Sequence, residues 1–150
     1  MSRPFRFVLL PTIVLALGVL AASCGKKAEE VATPAPAPTQ AVSVASIDLG
    51  RSVGADYHVT DATEVFRPSD VIYASILTRG VSQSAMLGVK WTFEDGQVVD
   101  QSTRAIAPTG DAATEFHIVK ANGWPVGKYR LEVTLDEVPV QAREFEVKAG

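Results

Sequence analysis

Across residues 44–148 the chain alternates apolar and polar positions in short runs separated by turn residues. Leu87, Val89, Trp91 and Phe93 alternate with Gly88, Lys90 and Thr92, and Tyr129, Leu131, Val133 and Leu135 alternate with Arg130, Glu132 and Thr134. A period of two puts alternate side chains on opposite faces of a strand, so both runs predict strands with one buried and one wet face. Asp95-Gly96 after the first run predicts a tight turn, because glycine supplies positive φ without steric cost. Residues 98–106 then read as a weakly alternating return strand near a sheet edge. Phe116 and Ile118 point one face of a further strand inward, with Glu115 and His117 outward.

Residues 71–78 (VIYASILT) are apolar on both faces, which suits a central strand covered on both sides. Asp136-Glu137 predicts another turn, leading into residues 138–147. There the inward set changes parity, from Val140 and Ala142 to Phe145 and Val147. A bulge near Arg143 would reconcile the two, since one extra residue flips the faces that follow. With a strand over residues 44–49 the count reaches seven, and no amphipathic helix of useful length interrupts them. Short strands with regular turn signals predict an all-β sandwich or barrel. The segment is well above the size, about 40 residues, below which small folds usually need a disulfide or metal.

The stretch GWPVGKY, residues 123–129, refines the prediction. Gly127 and Tyr129 open the sixth predicted strand as Gly-x-Tyr. They resemble the corner of immunoglobulin-like domains, where a tyrosine hydroxyl bonds back to nearby backbone. Trp91 on the third predicted strand matches the core tryptophan of such domains. The resemblance implies a seven-stranded immunoglobulin-like β-sandwich over residues 44–150, with Gly127 and Tyr129 as its structural corner and no inter-sheet disulfide. Trp124 lies in the loop outside the period-two pattern and leaves two readings open. It folds back to cap the core, or it projects as a binding residue, because exposed tryptophans are frequent hot spots.

The N-terminal pattern differs. Arg3 and Arg6 precede sixteen uncharged residues from Phe7 to Ala22. A basic start, an apolar middle and small residues at the end are the layout of a secretory signal peptide. The run also falls short of the ~20 apolar residues of a membrane span. Ala21-Ala22-Ser23-Cys24 then resembles the lipobox of bacterial lipoproteins, in which the cysteine is acylated and becomes the new N-terminus. The resemblance implies cleavage after residue 23 and lipidation at Cys24, the sole cysteine in the chain. Residues 24–43 follow as a linker in which Pro34, Pro36 and Pro38 alternate with alanine. In the extended polyproline form it would reach roughly 50 Å. The whole resembles a bacterial lipoprotein carrying one immunoglobulin-like domain with a WPxGxY corner, a likeness that implies architecture and no activity.

Charge and chemistry narrow the function classes. The chain carries 14 basic and 17 acidic residues, and loss of Arg3 and Arg6 with the leader takes the net charge to about −5. That balance lacks the basic footprint of a nucleic-acid binder. Lys26 and Lys27 beside the anchor suit anionic headgroups. His58 and His117 lie on different segments without metal-ligand spacing, and Asp95-Gly96 is not followed by calcium ligands. No serine sits in a G-x-S-x-G elbow. Glu94-Asp95 and Asp136-Glu137 fall in turns. The expectation is therefore a non-catalytic module without cofactor or metal. It would be lipid-anchored in the cell envelope, on the periplasmic face of the outer membrane in a diderm host, and monomeric in its soluble part. Its loops would bind an envelope protein, glycan or small ligand. The alternative is an assembly role through strand-edge pairing, which the charges of the last strand oppose.

Overall fold

The computed structural model describes residues 41–150, so the expected signal peptide, Cys24 and nearly all of the linker lie outside the described residues. Eight strands and no helix are present among them: β1 (Ser43–Gly50), β2 (Val65–Phe66), β3 (Ile72–Arg79), β4 (Ala85–Phe93), β5 (Gln97–Ile106), β6 (Ala112–Ile118), β7 (Gly127–Leu135) and β8 (Val138–Val147). They form two sheets, one ordered β1-β3-β6 and the other β2-β8-β7-β4-β5. All pairings are antiparallel except the two-residue parallel contact of β2 with β8.

The alternation in the sequence builds the core directly. Leu87, Val89 and Trp91 on β4 stand opposite Leu135, Val133 and Leu131 on β7. Cross-strand partners share a face, and all of these are buried except Leu135, which is partly so. Ile47 and Leu49, Ile72, Ala74 and Ile76, and Phe116 and Ile118 supply the facing layer from the smaller sheet. At one end the filling is aromatic. Phe145 stacks on Tyr129 at 5.2 Å between ring centroids and takes Phe66 and Trp91 edge-on at 5.5 and 5.8 Å.

Two features depart from the sequence reading. The first is an eighth strand, β2, whose Phe66 is fully buried in the aromatic cluster. Two residues are too few to show a period. The second concerns β8. Its bulge falls at Val140, between the pairs Val133–Gln141 and Thr134–Pro139, rather than near Arg143. Val140 is therefore 43% exposed rather than inward. Gln141 and Arg143 fall opposite the buried Val133 and Leu131, on the same face as Phe145 and Val147. Both are polar, and they reach across to β1, donating to the carbonyls of Val44 (2.8 Å) and Ile47 (3.0 Å).

The turns follow their chemistry. Gly96 takes φ 104° in the β4–β5 turn, as the Asp-Gly pair predicts. Asp136 (φ 49°) and Glu137 (φ 68°) are both left-handed, the signature of a two-residue type I′ hairpin. Asp136 is anchored further, its carboxylate accepting from the Met86 backbone N–H at 2.7 Å.

Candidate functional site

The ends of the sandwich differ. Residue 43 starts β1 opposite Arg79, at the end that carries the β3–β4, β5–β6 and β7–β8 connections. The other pole carries the β4–β5 turn, the β6–β7 loop at 119–126 and the segment from 51 to 71. Both poles carry surface hollows: one of about 380 Å³ at the first, lined by Ala41, Ser43, Arg79 and Gly80, and a two-part groove at the second.

There a groove runs between β5 and the β6–β7 loop. One part, about 360 Å³, is lined by Val99, Asp100, His117, Val119, Lys120 and Trp124. An adjoining part of about 280 Å³ shares Val99 and Lys120 and adds Phe93, Val98, Pro125 and Tyr129. Val119 and Val98 are 66% and 55% exposed on its rim, and Val126 is exposed on the same loop. The polar groups are separate in kind: the Asp100 carboxylate, the Lys120 ammonium and the His117 imidazole. His117 Nδ1 lies 2.6 Å from Glu115 Oε1, and its ring stands 5.4 Å from that of Tyr73. His117 is exposed, as its outward position predicts.

Of the corner residues, Tyr129 lines the groove and Gly127 lies beside it in sequence. Tyr129 is buried, and its hydroxyl donates to the Pro125 carbonyl at 2.8 Å. Burial, with a smaller contribution from the charge of Glu94, raises the pKa of that hydroxyl, so the ring stays neutral. Gly127 sits at φ 151° against Phe93 and Glu94, and a Cβ there would meet the Phe93 ring at 2.8 Å. Glu94 Oε1 fills the same space and accepts from the Lys128 N–H at 3.1 Å. Glycine is thus required where the β4–β5 turn crosses the corner.

Trp124 is 4% exposed, so the projecting reading of this residue is corrected. Its ring packs edge-on to Tyr129 at 6.2 Å, its Nε1 donates to the Asp70 carbonyl at 2.9 Å and its backbone N–H donates to Pro68 at 2.8 Å. The physical reason is that the indole has both an apolar cluster to enter and a carbonyl for its N–H. What remains accessible is the edge that lines the groove beneath Lys120, whose Nζ stands 5.9 Å from the ring.

Sequence reasoning missed the segment between β1 and β2. It folds into an arm closed by a Val53–Val59 bridge and by Gly54 N–H to His58 carbonyl at 2.8 Å. Tyr57 sits at the tip with φ 63°, exposed, and His58 is exposed beside it. Arg51 fastens the arm. Its Nε donates to Asp70 at 2.8 Å and its Nη2 to the Val65 carbonyl at 2.8 Å, with Asp61 at 3.6 Å. Burial pushes the Asp70 pKa upward, but the Arg67 N–H and the Arg51 guanidinium outweigh it and hold the carboxyl below its ordinary value. The only sequence signal for the arm is the pair Val53 and Val59 flanking Gly54–His58.

Among the described residues no three His, Cys, Asp or Glu side chains group as a metal site. No family model matches the chain, and no curated protein matches it. Solved structures do. An immunoglobulin-like protein from Pseudomonas aeruginosa aligns with 75% of this chain and 100% of its own, at 13% identity and a TM-score of 0.52. An alkylpurine DNA glycosylase from Pseudomonas fluorescens, solved with DNA containing an abasic-site analogue, aligns at 14% identity and a TM-score of 0.48. This chain spans only 30% of that enzyme's length. A CARDB domain from Pyrococcus furiosus, solved with di-metal ions, aligns over 73% of this chain and 88% of its own, at 15% identity and a TM-score of 0.43. The fold is an immunoglobulin-like β-sandwich.

Proposed function

We propose that this chain is a lipid-anchored envelope protein presenting a non-catalytic immunoglobulin-like binding module, and that recognition occurs at the groove between β5 and the β6–β7 loop. The single observation that carries the reading is the placement of that groove. It lies at the pole opposite the end where residue 43 enters, with Val98 and Val119 exposed on its rim. A module held by an upstream anchor at Cys24 and spaced by the proline linker would leave this pole accessible to a partner. The groups in the groove are one carboxylate, one amine and one imidazole between valine side chains and aromatic edges, a mixed lining suited to recognition. The partner is an envelope protein or glycan. In a diderm host, Gly25 stands where aspartate commonly signals inner-membrane retention in enterobacterial lipoproteins, which favours the outer membrane.

The test is capture from an envelope extract by immobilised protein. The wild type and a Val81→Asp control at the other pole should retain the same partner, and Val119→Asp/Lys120→Glu should lose it with an unchanged melting temperature. Equal retention by all three would place recognition elsewhere.

A further inference from the structure

Four edges bound the two sheets, and they are not equally defended. β1 has side chains of Gln141 and Arg143 bonded to its carbonyls and a bulge between Val44 and Ser46. β8 is covered at its end by β2, and Pro139 and the Val140 bulge interrupt its start. On β6 only His117 is exposed. β5 is different: ten residues long, last in its sheet, with eight of the ten exposed. It contains no proline and no lysine, the usual protections of an edge. Its one bulge lies at Val99, leaving residues 100–106 in regular register with β4.

The charges on this strand carry a pattern. Asp100 stands opposite Trp91 and Arg104 opposite Leu87, so both lie on the inward face, four residues apart, with Ser102 opposite Val89 between them. The Arg104 guanidinium is held over the Phe116 ring at 5.1 Å. Among the described residues neither Asp100 nor Arg104 has an ion-pair partner, although seven pairs of lysine or arginine with a carboxylate form. Within one chain they are two like-facing charges on an open edge. Antiparallel pairing of two identical strands about a two-fold axis at Ser102 sets Asp100 of each copy opposite Arg104 of the other. The same register sets Gln101 opposite Thr103 on the outer face. Opposite charges directly across an antiparallel pair are favourable, and like charges in that position are not.

We infer that β5 is a self-complementary edge through which two copies of this chain join their five-stranded sheets into one continuous sheet. The interface is isologous, as a two-fold requires, and it uses backbone hydrogen bonds for affinity and the reciprocal Asp100–Arg104 pairs for register. It leaves the β6–β7 loop free but draws on Asp100, which also lines the groove proposed above for recognition, and the cross-linking below reads pairing of the strands without any groove partner present.

The experiment is register-specific cross-linking in the full chain carrying Cys24→Ser. In antiparallel pairs facing residues have Cα atoms about 4.5–5.5 Å apart, inside the range a disulfide spans. Ser102→Cys should give a disulfide-linked dimer on mild oxidation, and Asp95→Cys in the β4–β5 turn should not. Added to Ser102→Cys, either Asp100→Arg or Arg104→Asp should reduce the cross-linked fraction at least tenfold. The double exchange Asp100→Arg/Arg104→Asp should restore it. Sedimentation of the uncross-linked chain should show the same order of dimer content. A chain that stays monomeric up to about 1 mM, or a double exchange no better than the single ones, would overturn the inference and leave β5 a solvated edge protected by inward-pointing charge.

Discussion

The indole N–H of Trp124 donates to the backbone carbonyl of Asp70 across 54 residues of chain, at 2.9 Å. The carboxylate of the same Asp70 holds Arg51 and the Arg67 N–H, each at 2.8 Å. One residue thereby ties the β6–β7 loop, the β1–β2 arm and the aromatic core together. The floor of the groove is fixed by side chains whose other ends are in the core.

Trp124→Ala should consequently destabilise the domain by about 3–5 kcal/mol, the range for emptying a buried aromatic site. Trp124→Phe keeps much of the packing and leaves the Asp70 carbonyl without its donor, which should cost about 1–3 kcal/mol. Thermal or urea melts of both variants give the comparison, and a loss below 0.5 kcal/mol for the alanine variant, about the size of an ordinary surface change, would show that the ring is not structural.

Tyr129→Phe should cost about 1 kcal/mol, near the low end for a lost hydrogen bond. Pro125 is exposed, so water can satisfy the carbonyl once the hydroxyl is gone. Gly127→Ala at the same corner should cost more, about 1–3 kcal/mol, because the new methyl meets the Phe93 ring. Urea midpoints of the two variants should fall in that order.

The Asp70 carboxyl predicts an acid limb in stability. Its folded pKa lies below the ordinary value of 3.8, so its contribution is full above that value and is lost as pH falls through the folded one. Asp70→Asn should lower stability at pH 7 by about 1–2 kcal/mol, since a partly exposed charge-assisted pair is lost. It should also flatten the decline below pH 4, and melting temperatures at pH 7 and pH 3 measure both effects.

Glu137→Gly should stabilise the domain by about 1 kcal/mol. The side chain is exposed and the residue holds φ 68°, where a non-glycine residue is strained. Asp136 should not be exchanged the same way, because its carboxylate serves the Met86 N–H. A neutral or negative change in urea midpoint for Glu137→Gly would mean that the turn costs nothing as it stands.

Cys24→Ala should abolish acylation and release the protein from the detergent-extracted membrane fraction. Unchanged fractionation would mean that the apolar segment at residues 7–22 does the holding.

Much of the sandwich was legible because its strands are long and covered on one face. Leu87 to Phe93 and Tyr129 to Leu135 carry a period of two, and that period alone places them. The Asp95-Gly96 turn announced itself through the one residue type that accepts its φ. Three things left no such mark. β2 is held by Phe66 entering a cluster built from distant strands, which no local pattern records. The bulge on β8 was visible as a change of parity, but its position was not, because Gln141 and Arg143 are inward polar residues satisfied by β1 carbonyls 96 and 97 residues away in sequence. The groove joins β5 to residues 117–125, and the juxtaposition exists only once the two sheets pack. Trp124 could be read either way, since its burial rests on the aromatic core and on the Asp70 carbonyl 54 residues away, and neither shows in the local pattern.

Recognition at the pole opposite residue 43 would shield the amides of that pole when a partner is bound. Amide hydrogen exchange of the full-length chain, with and without a saturating envelope extract, tests it most directly. Exchange should slow only at residues 119–126 and the adjoining start of β5, with residues 80–84 and 107–111 at the other pole unaltered. Protection at 80–84 and 107–111, with 119–126 exchanging as in the free protein, would contradict it.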